Sequence, residues 1–120
     1  MSRYIIEFGM GTDFHGQNVS AAAERAVRDA VSHSCLHGLS AVLGPEELDR
    51  DVNIRVTVAV SRPEEVDRQA IAACLPVGTV TVQAVEGGLK LPELCLSRLG
   101  GREDSVEAAI AALELEVQGH

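Results

Sequence analysis

The clearest pattern in the chain is the alternation of Val52, Ile54, Val56, Val58 and Val60 with Asn53, Arg55, Thr57 and Ala59. Successive side chains of an extended strand point to opposite faces, so this period of two predicts a strand with one greasy and one mostly polar face. Arg3–Phe8 reads as another strand, with Tyr4, Ile6 and Phe8 on one face and Ile5 and Glu7 on the other. The spacing then changes. Val19, Ala22, Ala23, Ala26, Val27, Ala30, Val31 and Cys35 recur at intervals of three and four, which defines one face of a helix. Arg25, Arg28 and Asp29 fall off that stripe. Asn18 or Ser20 can cap the helix by accepting from its first free N–H groups.

A second helix is predicted from Ser61-Arg-Pro-Glu64. Ser61 and Glu64 have the capping-box spacing, Pro63 sits where proline is tolerated, and Val66, Ala70, Ile71 and Cys74 form the inner stripe. Thr79–Val85 is a third strand, closed by Glu86-Gly87-Gly88. Pro92 interrupts Leu89–Leu99, which reads as an edge segment or structured loop. Ser105–Gln118 fits both periods: Val106, Ala109, Ile110 and Leu113 suit a helix, and Ala111, Leu113, Leu115 and Val117 suit a strand. A strand is favoured from Ala112 onward. The whole predicts a single α+β domain, 1–120: one mixed sheet of four to five strands with two helices packed on one face, an α/β sandwich of ferredoxin-like type.

Composition narrows the function. The 120 residues carry a net charge of −8, and the ten basic residues are scattered, so neither a nucleic-acid backbone nor an anionic membrane is an expected partner. No apolar run approaches the roughly 18 residues of a membrane span, and the first residues do not form a signal peptide. Three widely spaced cysteines, Cys35, Cys74 and Cys95, suit a reducing compartment, and the cytoplasm is the expected location. Aromatic residues are few (Tyr4, Phe8 and Phe14), so the core must be built from Ala, Val, Leu and Ile. Such small side chains bury little area each, and burial between subunits would compensate. A homo-oligomer is therefore expected.

Candidate chemistry concentrates in two glycine-rich stretches. Gly9-Met-Gly-Thr-Asp-Phe-His-Gly16 is predicted as a loop between a strand and a helix N-terminus, where free N–H groups suit an anionic ligand. Its GxGxxxxG spacing is neither a dinucleotide fingerprint nor a phosphate loop. The other reading of these glycines is a tight turn needing positive φ. Within the stretch, Asp13 and His15 can perform acid–base work or share a divalent metal. Alternatively, Asp13 caps the helix. The second stretch is Glu86-Gly-Gly-Leu-Lys90, where Glu86, Gly87 and Gly88 could approach a ligand and Lys90 could hold an anionic group or act as a base. His33 and His37 stand four apart, a spacing that can chelate a metal, although surface pairs of this kind arise by chance. Cys74 and Cys95 read as packing residues.

Tyr4–Gly16, Ala21-Ala22, Ser34-Cys35-Leu36, Pro63–Val66 and Val85–Lys90 together resemble a family of conserved hypothetical proteins of bacteria and plants with a GxGxDxHG signature. Gly9, Gly11, Asp13, His15 and Gly16 match that signature in full. The resemblance implies that Asp13 and His15 are functional and names no activity. The order of elements is also similar to trimeric chorismate mutases, and related trimeric shapes occur among ring-opening amidohydrolases and imine deaminases. That likeness implies a trimer with sites between subunits. It does not imply mutase activity, because the expected acid falls near Val82 and the expected arginine near Glu93-Leu94.

The expectation is thus a homo-oligomer, a trimer favoured, that binds or transforms a small polar or anionic molecule. Asp13, His15 and Lys90 would be its catalytic residues, Asp13 and His15 its metal ligands if a divalent metal is used, and Gly9, Gly11, Gly16, Glu86, Gly87 and Gly88 its ligand-binding positions. Two alternatives stand beside it: a metal-binding module without catalysis, and a structural or regulatory oligomer with no ligand site.

Overall fold

The computed structural model describes residues 3–13, 18–33, 50–75, 78–92 and 105–117. Five strands form one mixed sheet: β1 (Arg3–Asp13), β2 (Val52–Val60), β3 (Thr79–Glu86), β4 (Leu89–Pro92) and β5 (Ser105–Val117). The spatial order is β1-β5-β2-β3, with β4 pairing β5 beyond the end of β2. Only β2 and β3 run parallel; β5 is antiparallel to β1, β2 and β4. Helix α1 (Val19–His33) and the short α2 (Arg68–Ala73) lie on one face. The predicted architecture of one mixed sheet with two helices is the one observed.

The core lies between α1 and the sheet. Val19, Ala22, Ala23, Ala26, Val27 and Ala30 of α1 meet Val52, Ile54, Val56, Val58 and Val60 of β2 and Ala109, Ala111, Leu113 and Leu115 of β5, all buried. Among the described residues, the buried apolar ones are Ala, Val, Leu and Ile. The alternation read in Val52–Val60 is complete: every second residue is buried.

Several local readings need correction. The Gly9–Gly16 stretch is not a loop through its first half, because β1 continues through both glycines to Asp13. Neither is it a positive-φ turn there, as only Gly78 and Gly88 have positive φ among the described glycines. Gly9 and Gly11 instead lie beneath α1. A Cβ at Gly9 would collide with backbone atoms of Ala26 and Ala30, and one at Gly11 with backbone atoms of Ala22 and Ala26. The helix can approach this closely only over a strand that has no side chains at those points.

The second helix also begins differently. Pro63–Glu65 is a single 3-10 turn, and α2 starts after Asp67, whose carboxylate accepts from the N–H groups of Gln69 and Ala70. Ser61 caps nothing. At α1 the cap is Asn18, whose Oδ1 accepts from Ala21 N–H at 2.9 Å. Ser20, the other candidate, accepts from the N–H of Asp67 and ties α1 to α2. Finally, β5 spans Ser105–Val117, so the helical reading of Val106–Leu113 is overturned. Alanine fits either period, and here two flanking strands on β5 decide it.

Candidate functional site

Side-chain alternation along β1 carries Asp13 to the helix-bearing face, in line with Gly9 and Gly11. Register then places Asp13 opposite Glu107 on β5, and Glu107 opposite Lys90 on β4. One row across three strands therefore reads Asp13, Glu107, Lys90. Glu107 is fully buried and Asp13 nearly so, whereas Lys90 is exposed. Like charges directly opposite on neighbouring strands repel, and buried carboxylates require hydrogen bonds.

Both carboxylates have such partners. Glu107 Oε2 accepts from Ser61 N–H at 2.8 Å, and Oε1 from the Ser61 hydroxyl at 2.6 Å. Asp13 Oδ2 accepts from Asn18 N–H at 3.3 Å, immediately before α1, and Oδ1 lies 3.5 Å from the Arg25 guanidinium. A carboxylate at a helix start also favours the positive end of the helix dipole. Asp13 thus holds the N-cap residue Asn18 in place rather than capping the helix itself. Arg25 also donates to the carbonyl of Thr12 at 2.6 Å, and the N–H of Met10 donates to Asp29 at 2.9 Å, so side chains of α1 occupy the outer edge of β1.

The second glycine stretch joins the same end of the sheet. Gly87 donates to the carbonyl of Val60 at 2.9 Å. Gly88, at φ 71°, carries the chain close past the carbonyls of Ala59 and Ala108 and into β4. A side chain at Gly88 would be strained and obstructed. Glu86 is exposed at the end of β3. The fold therefore brings Asp13 and the start of Lys90's strand to one end of the sheet, and adds Glu107 and Ser61, which sequence reasoning missed. His15, Gly16, His37, Cys35 and Cys95 lie outside the described residues. So does the side chain of His33, whose backbone ends α1. Among the described residues, no group of three His, Cys, Asp or Glu is placed to hold a metal ion.

A shallow depression of about 170 Å³ lies elsewhere, lined by Asn53, Ile54, Arg55, Thr79, Thr81, Glu114 and Glu116. Glu116 is nine positions from Glu107 along β5, roughly 30 Å at the rise of a strand. This depression is thus separate from the carboxylate row. Cys74 is half-buried, its thiol 3.5 Å from the carbonyl of Ala70, and burial pushes that thiol's pKa up, only partly offset by Arg28. A thiol held protonated is a poor nucleophile, which agrees with a packing role.

These features define an α+β protein with one helix-covered sheet face and a row of paired carboxylates at its end. The chain belongs to a conserved hypothetical protein family, Lin0512_fam, whose model matches residues 3–115. It is similar over 98% of its length to 98% of an FtsZ-like protein of unknown function from Nostoc punctiforme PCC 73102, solved by crystallography at 1.22 Å, with 36% identity and a TM-score of 0.81. A fainter likeness, at 14% identity and a TM-score of 0.33, covers 96% of this chain and 43% of the bifunctional IspDF from Campylobacter jejuni. Comparison with curated proteins gives no match. No helix among the described residues is long and apolar enough to cross a membrane.

Proposed function

We propose that this protein is a homo-oligomer that binds a small polar metabolite at the Asp13–Glu107–Lys90 end of its sheet. The observation that carries the reading is the placement of two shielded carboxylates directly opposite each other on β1 and β5. Packing alone does not call for that arrangement, since an apolar pair would fill the positions without mutual repulsion. His15, two residues beyond Asp13, is the acid–base group or, with Asp13, a ligand to a divalent metal. Lys90 holds an anionic group of the metabolite. Gly9 and Gly11 set the site's geometry by seating α1 against β1. Gly87 and Gly88 bring β4, and with it Lys90, alongside Glu107.

Ligand-observed NMR against mixtures of hydroxy acids, amino acids and sugar phosphates tests the reading, run with and without Mn²⁺ or Zn²⁺. A binder whose signal is lost with Asp13→Ala and with His15→Ala, in folded variants, supports it. A binder unaffected by either substitution sinks it. A structural oligomer without a ligand site is the second reading, favoured by one observation: helix packing accounts for Gly9 and Gly11 without any ligand. Absence of any binder, with an intact oligomer, would select it.

A further inference from the structure

The sheet face opposite the helices is apolar over one half. Ile6, Phe8 and Met10 of β1, Ile110 of β5 and Leu89 and Leu91 of β4 are 51, 65, 60, 47, 56 and 38% exposed. Register makes them one patch. Met10 stands opposite Ile110 and Phe8 opposite Ala112. Leu89 stands opposite Ala108 and Leu91 opposite Val106. Apart from Ala59 and Val85 beside Ile110, the remainder of that face is polar, with Asn53, Arg55, Thr57, Thr79, Thr81, Gln83, Glu114 and Glu116. Charge is thus confined to one half, in a chain whose net charge is −8.

We infer that the half-face formed by β1, β5 and β4 is the surface on which a second copy of this chain seats. The inference rests on the oligomer proposed above and names its contact. Area is the first argument. Taking about 200 Å² for a large side chain, the six exposures amount to roughly 650 Å². That exceeds the roughly 300–600 Å² of the largest apolar patch on a typical monomer and approaches the ~800 Å² per partner of a standard interface. The half-buried Val106, Ala108 and Ala112 on the same face add to it.

The second argument is charge. No Lys or Arg occupies that face of β1, β4 or β5 from Ile6 to Thr12, Leu89 to Leu91 and Val106 to Glu116. An anionic bilayer therefore has nothing basic to engage there and meets an acidic protein. A copy of the same chain meets a matching uncharged surface, with Glu114 and Arg55 at its border. The patch also backs the candidate site. Met10 and Thr12 bracket the strand leading to Asp13, and Leu89 and Leu91 flank Lys90, so the contact would brace the strands that carry those residues.

Sedimentation velocity on wild type, Phe8→Glu and the double variant Leu89→Gln/Leu91→Gln tests the inference, with circular dichroism to confirm folding. The expected result is a wild type heavier than one chain and folded variants reduced to the mass of one chain. Should Phe8→Glu fail to fold, the β4 double variant gives the decision, because those side chains project from a short strand outside the core. A heavier wild type whose mass persists in the folded variants overturns this surface but leaves the oligomer standing. A wild type of single-chain mass at every concentration overturns both this surface and the oligomer.

Discussion

Asp13 and Glu107 face each other across β1 and β5, and each carboxylate is held by a backbone N–H from a different part of the chain, Asn18 for one and Ser61 for the other. The two are not equivalent. Glu107 is wholly enclosed and accepts from both hydrogen-bond donors of Ser61, whereas Asp13 pairs with Arg25, whose side chain is 54% exposed. Glu107→Gln should therefore destabilise by roughly 2 kcal/mol, the range for a hydrogen-bonded buried charge. Asp13→Asn should stay within about 1 kcal/mol, because the pair it loses with the exposed Arg25 is weak. Urea denaturation of both variants gives the comparison, and a larger loss for Asp13→Asn would contradict this account.

Gly9→Ala and Gly11→Ala should each cost about 3 kcal/mol or more, the upper end for overpacking, since the added methyl meets helix backbone that has no rotamer to move. Thermal melts would detect this as a large fall in midpoint or as failure to fold. A near-neutral Gly9→Ala would mean that α1 stands further from β1 than described.

Ser61→Ala and Asp67→Ala separate the two residues that compete for the start of the second helix. Loss of the Asp67 cap should cost about 1 kcal/mol and speed amide exchange at Gln69 and Ala70. Ser61→Ala should leave those amides protected, because its hydroxyl serves Glu107. Faster exchange at Gln69 in the Ser61 variant would restore the capping-box reading.

Cys74 should react slowly with iodoacetamide at neutral pH, because desolvation raises its pKa above the ordinary 9.0. The linked effect on stability has a definite sign. The folded state keeps the proton where the unfolded chain releases it, so the contribution is complete below the unfolded pKa of about 9 and is lost as pH rises through the folded value. A Cys74→Ala variant should lose less stability than wild type between neutral and alkaline pH. Equal slopes in the two proteins would remove Cys74 as a contributor.

Much of the fold is legible in the residues. Val52–Val60 announces itself because β2 is central and one of its faces is buried, so selection for apolar side chains acts on alternate positions. The α1 stripe is legible for the same reason. Gly9 and Gly11 mislead because glycine suggests a turn, while the cause here is a helix that arrives from later in the sequence. The shared face of Ile6 and Phe8 is correctly read, but their exposure is not foreseeable from period alone: the more apolar set faces outward and the glycines face in. Ser105–Val117 is ambiguous because its alanines satisfy both periods. Glu107 is hidden by that ambiguity. Once the segment is a strand, Glu107 is the one charge among Ala109, Ala111, Leu113 and Leu115 on the buried side, and that is the signal by which it could have been found. Asp13 is visible from its spacing to His15, whereas its partner depends on register.

The position of β5 in the sheet also shapes how the chain must reach its native state. Arg3 pairs with Val117, and β2 too leans on β5 along most of its length. During synthesis β1 is made well before β5, the strand it pairs with among the described residues. Such long-range closure slows folding and lengthens the life of unpaired segments. Through that interval Ile6, Phe8 and Met10 lack even the neighbours that β5 will provide. The nascent chain is thus most vulnerable to misassociation just before β5 arrives, and a ribosome-bound chain halted ahead of Ser105 would have no completed sheet to protect it.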